Sequence, residues 1–203
     1  MYSQGNQDVN VIEFYNRKTR GYYVDVGAYD GYKKSNTFLL NGHFGWKGVC
    51  VEANPATYDK LVTMRPNAIC VNAFIHDESD RDVKFDIYED DYMCGINDEI
   101  CLKRSDKSAG YKQTVDLKTL SLMDLLRGCR SPVFIEYLSL NVDGIEADIL
   151  DKFDFTKYEF GLIDVANYDT KKRWVVRSLL ERNGYVFLRD NKGICDSYKH
   201  HSL

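Results

Sequence analysis

The sequence lacks paired cysteines, long hydrophobic runs and an excess of positive charge. Its six cysteines include no C-x-x-C pair and have no metal-ligand spacing to the four histidines, which favours reduced thiols. No apolar run approaches the ~18–20 residues needed to span a membrane, and the opening stretch MYSQGNQDVN is too polar for a signal peptide. We therefore expect a soluble, cytoplasmic protein with no membrane partner.

The net charge of −4 offers no basic surface for phosphate contacts, which disfavours nucleic acid as a partner. A length of 203 residues suits one well-formed core, so we predict a single domain over residues 1–203. The 15 tyrosines and 10 phenylalanines suit a carbohydrate-stacking surface, although tyrosine-rich cores have the same composition.

Apolar runs and helical patterns alternate along most of the chain. Strands are predicted at 22–26, 46–51, 68–71, 82–88, 114–117, 133–140, 160–165 and 185–188. Helices are predicted at 9–15 with Asp8 as N-cap, at 35–40 ending at Gly42, and at 56–64, 121–126, 146–152 and 171–183. This rhythm indicates an α/β fold with a mostly parallel sheet between helices, interrupted by an irregular insertion at about 76–118 that would cover an acceptor.

The stretch 22–32, YYVDVGAYDGY, predicts a buried strand that ends in a glycine turn. Ligands of open α/β sheets bind at such carboxyl ends. A dinucleotide site requires G-x-G-x-x-G, whereas this turn has one glycine too few and contains Asp30. Asp25 and Asp30 would repel a pyrophosphate but suit a cation such as S-adenosylmethionine. An NAD dehydrogenase is the disfavoured alternative.

Two later strand ends provide further candidates for ligand binding. Glu52 ends the second strand, where a carboxylate accepts both hydroxyls of a ribose diol. Asn72 ends the third strand and is expected to hydrogen-bond an adenine base, with Phe74 stacked beside it.

The stretch Asn141-Val-Asp143-Gly-Ile-Glu146 follows a strong strand and should face the same cleft. Carboxylates in this position suit deprotonation of an alcohol or coordination of a hard cation. Asp164, at the end of the next strand, is a further candidate catalytic residue.

An ordered series of segments resembles the FkbM family of S-adenosylmethionine-dependent methyltransferases. The series is SQGNQD, YYVDVGAYDG, SNTFLL, GWKGVCVEANP, ICVNAFI, TLSLMDLL and YLSLNVDGIEADIL. The resemblance implies a Rossmann-like class I methyltransferase fold, with a seven-stranded sheet that has an antiparallel strand at one edge. It also implies O-methylation of sugars or natural products.

The resemblance assigns donor binding to specific positions of this sequence. The implied cofactor-binding residues are Gln4, Asp8, Asp25, Gly27, Ala28, Ser35, Asn36, Glu52, Ala53, Asn72 and Ala73. The chain departs from the family's D-x-E-G-x-E pattern at Asn141 and Asp143, and it has no histidine near Asp164. These departures leave the identity of the base, and of any metal, open.

The leading hypothesis is in-line methyl transfer from S-adenosylmethionine to a hydroxyl of a sugar or glycan, for example a deoxy-sugar such as rhamnose or fucose. Asp143 is the predicted base, Asn141 and Glu146 orient the acceptor or a cation, and Asp164 has a secondary catalytic role. The alternatives are magnesium-assisted O-methylation of a small natural product and a non-catalytic module that binds S-adenosylmethionine. The oligomeric state is not predicted.

Overall fold

The computed structural model of the chain describes residues 2–3, 5–89, 94–96, 110–142, 144–167 and 170–203. The helices in these residues are α1 (Gln7–Phe14), α2 (Phe38–Phe44), α3 (Pro55–Met64), α4 (Leu122–Gly128), α5 (Glu146–Asp151) and α6 (Thr170–Arg182). The strands are β1 (Tyr22–Val26), β2 (Lys47–Glu52), β3 (Ile69–Asn72), β4 (Phe74–His76), β5 (Asp82–Tyr88), β6 (Gly95–Ile96), β7 (Tyr111–Ser121), β8 (Phe134–Leu140), β9 (Glu159–Ala166), β10 (Tyr185–Asn191) and β11 (Cys195–His200). Over the described residues, no helix is long and apolar enough to cross a membrane.

Seven strands form the central sheet in the order β10-β11-β9-β8-β1-β2-β3. Neighbouring strands pair in parallel along β9-β8-β1-β2-β3, whereas β11 runs antiparallel to both β9 and β10. The predicted mostly parallel seven-stranded α/β sheet is therefore confirmed. The antiparallel strand, which we expected at one edge, lies one strand in from that edge.

Strand β11 is missing from the predicted elements because several of its buried side chains are polar. Asp196 accepts from Arg173 Nε at 2.7 Å, and Ser197 donates to Asp164. Polar side chains can be buried at low cost once they are hydrogen-bonded. Such a strand shows no apolar pattern, and its place between two others is set by partners that are distant in sequence.

Alternate residues of the central strands face opposite layers of helices, as the two-residue period of a strand requires. Tyr23 and Tyr137 belong to an apolar cluster that includes buried side chains of α1, α2 and α3. Val24 and Leu138 belong to a larger cluster that includes side chains of α4, α5 and α6. The molecule therefore has three layers, with the sheet in the middle.

A second, four-stranded sheet has the order β4-β7-β5-β6. It occupies the described part of the insertion that we predicted at about 76–118, and β5 and β7 pair there as an antiparallel ladder. Phe85 and Ile87 of β5 are buried in the larger apolar cluster. The described part of the insertion is thus more regular than predicted, while residues 90–93 and 97–109 lie outside the described residues.

Helix α2 begins and ends later than the predicted helix at 35–40. Ser35 precedes the helix because its Oγ accepts the backbone N–H of Phe38 at 3.1 Å, which forms a local turn. Gly42, the predicted stop, lies inside the helix. The helix ends instead at Phe44 and is followed by Gly45, whose φ of 66° is the left-handed conformation that glycine adopts at helix C-termini.

Helix α3 begins where the sequence predicts. Asn54 caps it, because its side-chain oxygen accepts the N–H of Ala56 at 3.1 Å, and Pro55 occupies the first helical position. This cap fixes the chain directly after β2, at the edge of the sheet where the candidate site lies.

Candidate active site

The carboxyl ends of β1, β2, β3 and β8 meet at one edge of the central sheet. Val26 at the end of β1 is in register with Val51 on one side and with Leu140 on the other. Glu52 is in register with Asn72. The loops that follow these four strands are therefore neighbours, and they contain most of the predicted site residues.

The turn after β1 leaves no room for a side chain at Gly27. The N–H groups of Gly27 and Ala28 both donate to the carbonyl of Val51, at 3.0 and 2.9 Å. Gly27 has a φ of 80°, and a Cβ built on it would lie 2.0 Å from the carbonyl oxygen of Asn141. The ends of β1 and β8 are in direct backbone contact at the floor of the cleft, and only glycine fits this position because of that contact.

Glu52 joins the turn after β1 to the loop after β2. Its Oε2 accepts the N–H of Tyr29 and its Oε1 accepts the N–H of Asn54, each at 2.9 Å. An ionised carboxylate has about four acceptor positions, and at least two of them are used by these N–H groups. Glu52 thus lies at the end of β2 and holds the two loops together, while its role as a ribose-binding acid stays a prediction.

Asn72 and Ala73 join the ends of β3 and β2. Asn72 Nδ2 donates to the carbonyls of Glu52 and Ala53 at 2.7 and 3.0 Å, and the N–H of Ala73 donates to the Glu52 carbonyl at 3.3 Å. These two hydrogen bonds from its amide nitrogen hold the exposed Asn72 side chain at the cleft edge.

The position expected for Phe74 beside an adenine base is wrong. Phe74 is buried in the larger apolar cluster, with its ring centroid 5.9 Å from that of Phe85. The chain enters β4 directly after Ala73, and this strand carries Phe74 into the core instead of along the cleft.

The two acids of the glycine turn have partners within the protein. Asp25 is buried, its Oδ2 accepts the hydroxyl of Thr37 at 2.6 Å, and burial raises the pKa of its carboxyl group. Asp30 Oδ1 accepts the N–H groups of Tyr32 and Lys33 at 2.9 and 2.8 Å, as in an Asx turn. Both acids therefore shape the turn, in addition to any attraction that they exert on a cation.

Ser35 and Asn36 lie below the same turn. Ser35 is buried, and its Oγ accepts the N–H of Thr37 at 3.3 Å in addition to that of Phe38. Asn36 Nδ2 donates to Ser139 Oγ at 3.0 Å, which links the loop before α2 to β8.

We predicted Asp8 as the N-cap of α1, and this prediction is wrong. The helix begins at Gln7, and Asn6 is the residue before it. The buried Asp8 carboxylate instead accepts the N–H of Tyr2 at 3.0 Å and the hydroxyl of Ser3 at 2.5 Å. The Tyr2 ring in turn packs on Tyr32, with 5.4 Å between centroids. Asp8 thus holds residues 2–3 beside Tyr32, at the end of the turn after β1. Gln4 lies outside the described residues.

The loop after β8 begins at Asn141, whose N–H donates to the carbonyl of Val26 at 3.0 Å. Its side-chain Oδ1 is buried and has no hydrogen-bond partner among the described residues. Asp143, the predicted base, lies outside the described residues. A buried oxygen that accepts no hydrogen bond costs about 1–3 kcal/mol. The Asn141 Oδ1 at the cleft edge therefore favours a ligand that donates a hydrogen bond to it.

Glu146 fixes the shape of this loop. Its buried carboxylate accepts the N–H groups of Val142 and Gly144 at 3.1 and 3.2 Å, from its position at the start of α5. Lys172 on α6 donates its Nζ to the carbonyl of Gly144. The loop that contains the predicted base is therefore held from both sides.

Asp164 belongs to a buried polar cluster. Its Oδ2 accepts the hydroxyl of Tyr137 at 2.7 Å, and its Oδ1 accepts that of Ser197. Burial raises its pKa to about 6, although these two hydrogen bonds oppose the rise. It is in register with Ser139, so one buried row across the sheet contains Asp25, Ser139, Asp164 and Ser197. These contacts favour a structural role for Asp164.

Several side chains that organise the edge were not predicted from the sequence. They are Thr37, Arg65, Ser139, Lys172 and Ser197. In the sequence, Arg65 looks like an ordinary arginine at a helix end before a proline. Its guanidinium is buried against Gly31 and Thr37, which lie 34 and 28 residues earlier in the chain, so no local pattern reveals its burial.

The comparison with family models matches residues 25–187 to the methyltransferase FkbM domain. This match covers well over half of the chain. The protein belongs to the FkbM methyltransferase family. A comparison with curated proteins gives no match.

Solved structures show the same fold as this FkbM-family chain. The METTL16 MTase domain superposes with a TM-score of 0.55 at 10% identity, over 97% of this chain and 66% of that one. The human methyltransferase 10 domain containing protein gives a TM-score of 0.50 at 10% identity, over 97% of this chain and 81% of the other. At these identities the likeness shows the class I methyltransferase fold alone.

Membership of the FkbM family makes this chain a methyltransferase and implies S-adenosylmethionine as its donor. Glu52 places a carboxylate at the end of β2, which fits the ribose hydroxyls of that donor. The buried Oδ1 of Asn141 has no hydrogen-bond partner among the described residues, which fits a ligand group that donates to it.

Proposed function

We propose that this FkbM-family methyltransferase methylates a hydroxyl group of a sugar or glycan. The observation that carries the proposal is the direct contact between the donor-side turn and the acceptor-side loop at Gly27 and Asn141. Two reactants held at adjoining loops react as if within one molecule, which removes much of the entropic cost of their encounter.

The donor-binding part of the proposal concerns the ends of β1, β2 and β3. The residues that would hold the donor are Gln4, Asp8, Asp25, Gly27, Ala28, Ser35, Asn36, Glu52, Ala53, Asn72 and Ala73. Glu52 would accept from the ribose hydroxyls and Asn72 would contact the base. Asp8, Asp25 and Ser35 would act through the loop that they shape, since each is buried against the protein. When bound, S-adenosylmethionine supplies an electrophilic methyl group on a sulfonium.

The acceptor side of the proposal rests on the loop after β8. Asp143 would take the proton of the acceptor hydroxyl as its oxygen bonds to the methyl carbon and the carbon–sulfur bond breaks to leave S-adenosylhomocysteine, a role worth about 10²–10⁴-fold in rate. Asn141 would orient the methyl acceptor through its Oδ1, which has no hydrogen-bond partner in the part of the chain that the structure describes, and Glu146 would hold the loop in place. The contacts of Asp164 support only an indirect contribution.

The decisive experiment is transfer of a labelled methyl group to a panel of deoxy-sugar and hexose glycosides, with the methylated position mapped. Transfer to a sugar oxygen, with Asp143→Asn slowing turnover at unchanged donor affinity, would support the proposal. Full turnover by Asp143→Asn would remove this residue as the base. Transfer to RNA or to a nitrogen or carbon atom would refute the proposed acceptor.

Two alternatives are separated by the same assay. Loss of turnover in a strong chelator, restored by Mg²⁺, would support metal-assisted O-methylation. Tight binding of the donor with no transfer to any acceptor would support a non-catalytic module. We further propose that residues 1–203 form one domain and that the protein acts in the cytoplasm, on a carbohydrate and without a nucleic-acid or membrane partner.

A further inference from the structure

We propose that Arg65 is a positioning residue that sets the conformation of the donor-binding turn from below. It lies at the C-terminal end of α3, and its side chain is 1% exposed. Nothing in the family assignment gives it a role. The inference rests on the proposed function, because the turn that Arg65 contacts is the one proposed to hold the donor.

The guanidinium of Arg65 contacts the turn region at several points. Its Nη1 donates to the carbonyl of Gly31 at 3.0 Å and lies 3.4 Å from Ser35 Oγ. Its Nη2 donates to Thr37 Oγ1 and to the hydroxyl of Tyr23 at 3.2 Å. One planar group thus joins the end of the turn, the start of α2 and strand β1.

Arg65 reaches the Asp25 carboxylate through Thr37. The Thr37 hydroxyl accepts from Arg65 and donates to Asp25 Oδ2 at 2.6 Å, so one hydroxyl group connects the guanidinium to the Asp25 carboxyl group. A buried cation is costly without such compensation. The guanidinium also lies 5.6 Å from the centroid of the Tyr23 ring and 5.7 Å from that of Phe38, which adds favourable cation–π contacts.

The aliphatic part of Arg65 also restricts the turn. Gly31 has a φ of 76°, and a Cβ built on it would lie 2.8 Å from Arg65 Cγ. The arginine stem therefore packs against the backbone of the turn while its head holds the carbonyl of the same residue. Lysine would offer one point charge in place of the planar fork and could not make this set of contacts.

The tests are Arg65→Lys, Arg65→Met, Thr37→Val and Thr37→Ser, studied in the full chain. The measurements are the Kd for S-adenosylhomocysteine by calorimetry, the KM for the donor alongside kcat, and amide hydrogen exchange over residues 27–37 without ligand. Lys18→Met is the matched control, because it also removes a cation that pairs with a largely buried carboxylate. Lys18 Nζ lies 2.7 Å from Glu136 Oε1. Glu136 accepts from the N–H of Tyr22 at the opposite end of β1.

We expect Arg65→Lys and Thr37→Val to raise the donor Kd and KM by about tenfold or more, with a smaller change in kcat. Exchange over 27–37 should become faster in both variants. Thr37→Ser keeps the hydroxyl and should restore the wild-type values. Lys18→Met should lower stability without changing donor affinity. If Arg65→Met does not fold, Thr37→Val and its serine partner still decide the question.

Wild-type donor affinity and wild-type exchange over 27–37 in both Arg65→Lys and Thr37→Val would overturn the inference. So would an equal loss of donor affinity in Lys18→Met, because a general loss of stability would then explain the result. A wild-type protein that binds S-adenosylhomocysteine but methylates no sugar would refute the proposed acceptor, while the binding and exchange data would still support Arg65 as the positioning residue.

Discussion

Replacing Gly27 by alanine tests how closely the ends of β1 and β8 approach each other. Two separate costs are expected at this position. The backbone φ of 80° is unfavourable for an L-residue by about 1–2 kcal/mol. The new Cβ would also lie 2.0 Å from the carbonyl oxygen of Asn141, so the two strand ends must separate.

The size of the second cost follows from the packing around the turn. A methyl group forced into a filled space costs about 1–3 kcal/mol, because its neighbours must move. Here the obstacle is backbone, which relaxes less readily than a flexible side chain. Together the two costs predict a loss of about 2–5 kcal/mol in the free energy of unfolding for Gly27→Ala. Donor affinity should fall as well, because the turn moves.

Two other glycines of the chain separate these costs. Gly45 has a φ of 66°, but a Cβ added there would meet no atom within 4 Å, so Gly45→Ala should cost only about 1–2 kcal/mol. Gly42 lies within α2, also with nothing within 4 Å, and Gly42→Ala should stabilise by about 0.5–1 kcal/mol. Urea unfolding of the three variants, with donor Kd measured on each, gives the comparison. A loss for Gly27→Ala no larger than that for Gly45→Ala would refute the close contact at Asn141.

Three further predictions concern the acids and the thiols. The pKa of Asp164 is raised from 3.8 to about 6 in the folded state, so its protonation stabilises the protein below pH 3.8, and this contribution is lost as the pH rises through 6. The stability advantage of wild type over Asp164→Asn should therefore shrink by up to ~3 kcal/mol between pH 4 and 7, as urea titrations would show; an unchanged difference would contradict the raised pKa. Glu146→Ala should lower kcat by about tenfold or more, because the loop loses two hydrogen bonds, while leaving the donor Kd unchanged; a weakened Kd at normal kcat would argue against it. Burial raises the pKa of Cys50 and of Cys195 to about 12, so both thiols should resist iodoacetamide at pH 8 in the folded protein, and rapid labelling in a mass-spectrometric map would contradict this.

The parts of the fold that the sequence predicts are those with a local cause. The start of α3 follows from Asn54 and Pro55, and β1, β2 and β8 follow from their mostly apolar sequences. The cleft at their carboxyl ends follows from the alternation of strands and helices, since parallel strands end on the same side.

The parts that it does not predict depend on partners that are distant in the chain. The buried polar side chains of β11 are compatible with a strand only because Arg173 and Asp164 pair with them. Asp8 resembles a helix cap until residues 2–3 are seen to fold onto it. Arg65 resembles a surface arginine, and its burial depends on its contacts with Gly31 in the turn and with Thr37 before α2.

The position of β11 between β9 and β10 has a consequence for the order in which the sheet assembles. β10 and β11 form a hairpin whose connection includes Lys192 and Gly193, both with positive φ, so the two strands can pair before either reaches the rest of the sheet. In the finished sheet, this hairpin pairs with the edge of β9 through β11 alone. A chain shortened before Tyr185 would leave β9 as an open edge strand, and such edges recruit other chains. Aggregation, more than loss of the donor turn, is therefore the failure expected of such a fragment.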